Sequence, residues 1–278
     1  MSTSGLRRFM SALNPQSSTL TTLPTTLLAL ALAGLLKHHY SHASAEDLRW
    51  ILQPTTFLTS CLVSGEFTFQ AGEGYLSREH SVLISPACAG VNFLVVALLS
   101  LVLGFAGRFA AWRQRGLWLV GSVVAAYLTT LVVNALRIAL SVALAHLAAR
   151  LTGLTFQSVH RLLGIFIYLF GLLGLCLTVQ LWLSSRGVLP RKAASAHPSR
   201  APLLALGCYV AVTLLVPLLG GAAHNPEYWS HAAPVSVLVG LSAALLFAAR
   251  GRTWDDGRHA FRSSERPERV AAEQSSCR

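Results

Sequence analysis

Acidic residues are scarce in this chain and are missing from its whole middle part. Only 11 of the 278 residues are Asp or Glu, and none of them lies between Glu79 and Glu227. An aspartyl protease of the membrane interior needs paired carboxylates within its spans, and a Ser-His-Asp site needs a carboxylate beside its histidine. The gap excludes the first arrangement, and the second would have to take its acid from a flanking loop.

Charge of both signs is also low. Charged residues make up 12% of the chain and hydrophobic residues 53%, whereas a soluble domain carries about 25% charged residues. Apolar runs of roughly 16 to 22 residues separate the charged clusters and are long enough, as helices, to cross a bilayer. The sequence therefore predicts an all-α, polytopic membrane helical bundle. About six transmembrane helices are expected: Leu20–Leu36, Val91–Phe105, Leu117–Leu136 (continuing as helix to about Leu147), Leu162–Leu183, Pro202–Leu219 and Pro234–Ala249.

The five cysteines lack the spacing of a metal site. They form no Cys-x-x-Cys pair, and neither a metal nor another cofactor is expected. Cys176 and Cys208 lie inside apolar segments, where cysteine usually acts as a small hydrophobic residue. Cys277 belongs to the polar tail. Cys61 and Cys88 are left as candidates for chemistry outside the membrane.

The cations follow the positive-inside rule. The net charge is +11, and Lys and Arg cluster near the N-terminus, after the second and fourth spans and in the C-terminal tail. We therefore expect a cytoplasmic N-terminal segment (1–19), a transmembrane catalytic domain (20–249) and a disordered basic cytoplasmic tail (250–278). The cations do not line an amphipathic face with interleaved aromatic residues, so no nucleic-acid partner is expected. Membrane lipid is expected to surround the bundle.

The long loop between the first two spans contains two further elements. Leu48–Val63 is apolar but is interrupted by Gln53 and Pro54, and counting it as a span would reverse every later loop against the charge rule. We interpret it as an interfacial or re-entrant helix on the outer face. The stretch Glu66–Ile84 is predicted to form a short hairpin that turns at 71–74.

Three chemically active residues lie at the ends of predicted spans. Cys88 precedes the second span, Arg137 follows the third, and His160 precedes the fourth. Because the spans alternate in direction and a helix rises ~1.5 Å per residue, all three are expected at the outer boundary. A cysteine at a helix N-terminus is also favoured as thiolate by the helix dipole.

Polar residues form a stripe on the third span. Tyr127, Thr130, Asn134, Arg137 and Ser141 recur at spacings of three and four residues, which places them on one helical face. Such a face is turned towards protein or water rather than lipid. Arg137 therefore shares its helical face with other polar residues, unlike an arginine that only anchors a helix at the membrane boundary.

A second face lies on the fourth span. It carries His160, Gly164, Tyr168 and Gly171, and its glycines permit close approach of another helix. His146 is the main rival of His160, since it too would reach the outer side. Together these patterns indicate a thiol nucleophile at Cys88, with His160 as base and Arg137 stabilising the oxyanion. Asn134, Ser141 and Tyr168 are the supporting residues.

These motifs resemble a known family. Pro86-Ala-Cys-Ala-Gly90, then Asn134-x-x-Arg137, then His160-x-x-x-Gly164 are similar to the exosortase/archaeosortase family of membrane cysteine transpeptidases. Trp50–Pro54 and the region 72–88 are most similar to the exosortase K subgroup. The family commonly has Cys-Ser-Gly at the nucleophile, whereas this chain has Ala89 in place of serine.

The resemblance implies a site of Cys88, Arg137 and His160 and a particular kind of substrate. Its partners would be exported proteins that end in a short motif (Pro-Glu-Pro in the best-known members), a transmembrane helix and a basic end. Cleavage on the periplasmic face would pass through a thioester at Cys88, followed by transfer to an amine or to water. It implies nothing about oligomeric state.

Two other functions remain open at this point. His38, His42 and Glu46 are spaced by four residues and could bind a metal in a membrane hydrolase if the first helix continues beyond its span. A transporter or scaffold could instead use Arg137 to bind an anion, with Cys61 and Cys88 joined as a disulfide.

Overall fold

A computed structural model describes residues 16–152, 156–188, 200–225 and 228–248. Within these ranges the chain is almost entirely helical, with one small sheet. The predicted N-terminal segment falls mostly outside the described residues, and the predicted tail falls wholly outside them. The helices are α1 (Gln16–His42), α2 (Arg49–Val63), α3 (Val91–Phe105), α4 (Trp112–Thr152), α5 (Phe156–Ser185), α6 (Arg200–Val210), α7 (Val216–Leu219) and α8 (Tyr228–Ala248).

Five segments of the described part of the chain are long and apolar enough to cross a membrane, and the protein is accordingly a membrane protein. They contain or overlap the second to sixth predicted spans, and the last of them begins at Tyr228 rather than at Pro234. Proline is common at the first turn of a helix, but here Pro234 lies further inside. The five segments are Pro86–Arg108, Trp112–Leu144, Val159–Ser185, Ala201–Leu219 and Tyr228–Ala248.

The first predicted span lies within α1, which is not among these five. Its N-terminal half is rich in threonine and contains Pro24, and this lowers its mean hydropathy. Leu27, Leu28 and Leu35 are more than half exposed on its surface, as residues facing lipid would be. That α1 crosses the membrane stays a prediction.

The helix α3 forms the centre of the bundle. Of its most apolar stretch, 78% is buried, against 33% or less for the other four candidate spans. It packs against α1, α4 and α6, and Phe93, Leu98 and Phe105 are almost completely enclosed. A helix that is apolar on all sides is expected in the interior, so the segment that begins at Cys88 enters the middle of the molecule.

The helix α2 has 15 residues, fewer than the ~20 needed to span a bilayer. It covers the segment that we expected to be interfacial or re-entrant, and Pro54 does not break it. Proline lacks the N–H that would bond to the carbonyl four residues earlier, which here belongs to Trp50. Tyr127 of α4 donates its hydroxyl to this carbonyl at 2.6 Å instead, and its ring stacks on Trp50.

The predicted hairpin is confirmed and extended by a third strand. β1 (Thr68–Gln70) pairs antiparallel with β2 (Gly74–Ser77), with Phe69 opposite Tyr75. β3 (Val82–Ile84) pairs antiparallel with β2, with Leu76 opposite Leu83, so the strand order is β1-β2-β3. The sequence analysis missed β3, because a run of three apolar residues is too short to show a period.

The turn of the hairpin is fixed to the start of α2. The backbone N–H of Gly72 donates to Glu46 Oε1 at 2.7 Å, and this bond lowers the pKa of the Glu46 carboxyl. Arg49 lies over the ring of Phe69 at 3.9 Å from its centre. The sheet, whose last strand leads to Cys88, is therefore held against the start of α2.

Candidate active site

Cys88 lies in the tight connection between β3 and α3. After Ile84 the chain passes through Ser85 into a 3-10 turn, Pro86–Cys88, and α3 begins at Val91. Gly90 caps α3 with a left-handed backbone, φ 74°. The sequence placed Cys88 just before the N-terminus of this helix, and Cys88 lies there in a separate 3-10 turn. Its side chain is half-buried and is a free thiol.

The Cys88 turn packs closely against α4. A Cβ atom on Gly90 would lie 3.2 Å from side-chain atoms of both Asn134 and Thr130, so a glycine is needed for this approach. Asn134 Nδ2 donates to the Cys88 carbonyl at 2.6 Å. Ala89 is completely buried in the core, where the hydroxyl of a serine would be shielded from solvent.

Arg137 and His160 are joined in a hydrogen-bonded triangle with Ser141. Arg137 Nη2 lies 3.0 Å from His160 Nε2, and since a guanidinium can only donate, Nε2 is the acceptor. His160 is thus neutral, with its proton on Nδ1, which lies 2.9 Å from Ser141 Oγ. Ser141 in turn donates to the Arg137 carbonyl at 2.7 Å. This arrangement holds the histidine in a single tautomer.

A second chain of hydrogen bonds connects Arg137 to Cys88. Arg137 Nη1 donates to the Tyr168 hydroxyl at 2.7 Å, and Tyr168 donates to Asn134 Oδ1 at 2.8 Å. Asn134 completes the path to the Cys88 carbonyl. The Tyr168 ring also stacks on Phe93 of α3, with ring centres 5.0 Å apart. The six residues that the sequence proposed, from three elements, are therefore contiguous in space.

Two glycines of α5 make room for these contacts. A Cβ on Gly164 would lie 3.3 Å from Arg137 Cδ, and one on Gly171 would lie 2.9 Å from Val133. The close approach of α4 and α5 at these glycines was expected from the sequence. Arg137 Nε is buried and has no hydrogen-bond acceptor among the residues that the structure describes.

Cys88 and His160 both line two cavities. The larger, of 420 Å³, also has Arg137 and Tyr168 in its wall. The smaller, of 260 Å³, is also lined by β3, Ile138 and Ser141. The thiol and the imidazole therefore border common space that a substrate could enter.

The last two predicted spans contribute residues to the larger cavity. This contribution was not predicted from the sequence. Tyr209, Thr213 and His231 line its wall, as does Arg161 of α5. Thr213 lies in a π-helical turn, Ala211–Leu215, a feature often found at functional sites. A threonine and a histidine inside apolar segments were signals that could have drawn attention to these helices.

The candidate metal site is not assembled. His38 and His42 lie close, with ring centres 4.6 Å apart, but α1 ends at His42 and Glu46 instead accepts the Gly72 N–H. The condition for this hypothesis, a helix continuing to Glu46, is not met. In the described part of the chain no group of three or more potential ligands could hold a metal ion.

The disulfide of the scaffold hypothesis is not present either. Cys61 is an exposed free thiol and Cys88 a half-buried one. The side chain of His146, the alternative base, lies outside the described side chains, as does all of Cys277.

Comparison with known proteins adds no family. No protein-family model, no curated protein and no solved structure matches the chain. Only the geometry and chemistry of the site therefore bear on function.

Proposed function

We propose that this protein is a membrane cysteine peptidase or transpeptidase with Cys88 as its nucleophile, His160 as its base and Arg137 as its oxyanion donor. One observation carries the proposal: Arg137 is hydrogen-bonded to His160 and, through Tyr168 and Asn134, to the backbone of Cys88. A thiol nucleophile, an imidazole base and a cationic oxyanion donor are together a set of groups that can transfer an acyl group to sulfur.

Each role follows from the chemistry of one group. The Cys88 thiol gives its proton to His160 Nε2 while the sulfur attacks the scissile carbonyl carbon, and the developing oxyanion is neutralised by Arg137. The amide C–N bond then breaks, the leaving amine takes the proton from His160, and a thioester remains on Cys88. An incoming amine or water displaces the thiol and regenerates the enzyme.

The resting hydrogen bond between Arg137 and His160 couples two of these steps. Nε2 accepts Nη2 in the resting site, so its lone pair is occupied. When Nη2 turns to the substrate oxygen, the lone pair becomes available for the thiol proton. Substrate binding thus activates the base. Ser141 keeps the proton of His160 on Nδ1 throughout.

We further propose the substrates and location that the family resemblance implies. The substrates are exported proteins that end in a short motif, a transmembrane helix and a basic end, and the site faces the periplasm of a bacterial inner membrane. Both chain termini are then cytoplasmic, as the distribution of Lys and Arg supports.

The decisive experiment looks for the thioester. The tagged protein is isolated from its native cells under acidic, non-reducing conditions, and adducts of higher mass are tested for release by neutral hydroxylamine. We expect a hydroxylamine-sensitive adduct that is absent from Cys88→Ala and present in Cys61→Ala, whose replaced thiol is exposed. Mass spectrometry of the released polypeptides identifies their new C-termini.

Two outcomes of the same experiment would contradict the proposal. An adduct that persists in Cys88→Ala, or none in any variant while tailed proteins are still processed, would refute Cys88 as the nucleophile.

A further inference from the structure

The small cavity beside Cys88 lies along the edge of a β-strand. All three consecutive residues of β3, Val82–Ile84, line it. Because successive side chains of a strand point to opposite faces, a cavity against one face would touch only alternate residues. Contact with all three places the cavity at the strand edge. The other edge of β3 is paired with β2.

The orientation of the backbone groups on this edge can be read from β2. A Cβ atom on Gly74 of β2 would collide with the carbonyl oxygen of Ile84, so this oxygen points towards β2. Neighbouring residues of a strand direct their N–H and C=O groups to opposite edges. Leu83 therefore directs its N–H and C=O away from β2 and along the cavity.

The residues of the strand itself do not protect this edge. Val82, Leu83 and Ile84 carry no charge and include no proline, and Leu83 is 39% exposed. Natural proteins usually block such an edge with lysine, proline or a covering element. Pro86 follows only after the strand has ended. Ile138, Ser141 and His160 line the same cavity.

We infer that the free edge of β3 is the peptide-binding subsite, where the extended residues before the scissile bond pair with Leu83 as a fourth, parallel strand. This rests on the proposed function and deepens it. The strand leads within four residues to Cys88, so a peptide that follows it in the same direction delivers its carbonyl to the thiol. The sheet lies outside the spanning helices, as do the residues that precede a transmembrane tail.

Backbone pairing supplies affinity without demanding a sequence. In strand addition, main-chain hydrogen bonds bind the peptide and pockets for alternate side chains select among peptides. Leu83 N–H donates to one peptide carbonyl, and its C=O accepts a peptide N–H two residues away, as parallel pairing requires. At 260 Å³ the cavity suits a short extended stretch.

The test uses two alkylating reagents with the same reactive group. One is acetyl-Val-Thr-Ala chloromethyl ketone and the other is chloroacetone, which has no peptide. In both, the thiolate displaces chloride and forms a thioether. The rate at Cys88 is measured by mass spectrometry relative to the rate at Cys61, an exposed thiol outside the cavity, which corrects for intrinsic reactivity.

We expect the peptide reagent to favour Cys88 over Cys61 by at least about tenfold, equivalent to ~1.4 kcal/mol. Leu83→Pro removes the N–H at the free edge and should abolish this preference, because proline is tolerated at an edge strand but cannot donate. Leu83→Ala keeps the N–H and should retain it. A fully N-methylated peptide should also lose it.

The outcomes separate this inference from the proposed function. If Cys88 reacts with chloroacetone but the peptide has no advantage, or if Leu83→Pro keeps the advantage, the subsite is refuted and the nucleophile stands. A lipid chain or a second copy of the protein would then be the occupant of the edge. If neither reagent reaches Cys88, both the subsite and the proposed thiol chemistry are overturned.

Discussion

Arg137 is the residue on which the candidate site depends most. Its two terminal nitrogens donate to different partners, Tyr168 and His160, and it lies over the Tyr168 ring at 4.9 Å. This use of a planar fork distinguishes it from an arginine that only anchors a helix at the membrane boundary. A point charge at the same place would keep the sign but not the geometry.

We therefore predict that Arg137→Lys lowers the rate of thioester formation at Cys88 by about 100-fold or more, the typical effect of losing an oxyanion donor. Lysine cannot donate to Tyr168 and His160 in the same way. The rate of thioester formation is measured as the appearance of hydroxylamine-sensitive adduct. Arg113→Lys on the same helix is exposed and should change nothing; an unchanged rate in Arg137→Lys would show that only charge matters.

Ser141 positions His160 in the candidate site. Its oxygen lies 2.9 Å from Nδ1, and we expect Ser141→Ala to slow the reaction up to about tenfold, since one neutral hydrogen bond contributes ~0.5–1.5 kcal/mol. The pH profile of the rate should move as well, because the imidazole loses its fixed tautomer. Ser100 is a matched control: it is equally buried and bonds to the carbonyl four residues earlier. A profile that is identical in both variants would make Ser141 merely structural.

At the scale of elements, the connection between β3 and α3 decides where the thiol points. It contains a strand end, a 3-10 turn and a left-handed glycine within seven residues, Ile84–Gly90. The sequence predicted a span that begins at Val91, and the helix begins at this residue. It did not predict the left-handed Gly90, since the reason for that conformation is the surface of α4.

Gly90→Ala should therefore be more harmful than backbone strain alone explains. Gly72→Ala is the control, because Gly72 has a similar φ of 78° but no atom within 4 Å of its Cβ position. We expect about 1–2 kcal/mol of destabilisation for Gly72→Ala. Gly90→Ala should add ~1–3 kcal/mol from overpacking against Asn134 and should also slow thioester formation. Thermal unfolding in detergent measures the first effect; equal losses would contradict the close packing.

The hairpin should respond to acid through Glu46. The hydrogen bond from Gly72 lowers the pKa of this carboxyl in the folded state. The Glu46 carboxylate therefore contributes fully to the free energy of unfolding at pH values above its pKa in the unfolded state, near 4.5. This contribution is lost as the pH falls through the lower pKa of the folded state. Glu46→Gln should flatten the acid limb of a plot of the free energy of unfolding against pH, while Glu66→Gln should not. The same acid limb in all three proteins would argue against the contact.

For the whole molecule, the central question is which end of the bundle faces outward. The positive-inside rule predicts that Cys88 is outside and that Arg113, at the opposite end of α4, is inside. A membrane-impermeant maleimide should label wild-type protein in intact cells, and Cys61→Ala/Cys88→Ala should lose this label. Arg113→Cys in that double variant should react only after permeabilisation. Labelling of this cysteine in intact cells would reverse the orientation.

The larger cavity of the candidate site is also lined by the last helices of the bundle. Tyr209 and Thr213 from the α6 region and His231 from α8 close the larger cavity around Arg137. Arg161 of α5 donates to Ser230 of α8 at 2.7 Å, which joins the two helices at this end. The helices that appeared least informative in sequence thus form one wall of the candidate site.

Much of the fold and of the site could be predicted from local properties. Apolar run length indicated the spans, because the bilayer thickness sets how long a spanning helix must be. The spacing of Asn134, Arg137 and Ser141 placed them on one face, and alternation of spans brought them level with Cys88 and His160. Each inference needed only the helical repeat and the order of segments along the chain.

Only the tertiary structure decided which groups touch. It placed Asn134 on the Cys88 carbonyl, made His160 an acceptor towards Arg137, moved Glu46 away from the histidines, and opened an edge strand beside the thiol. These outcomes depend on contacts between residues up to 46 positions apart, set by how helices pack and where glycines let them approach. A pattern along one chain records which face a residue occupies, but not what the opposite face presents to it.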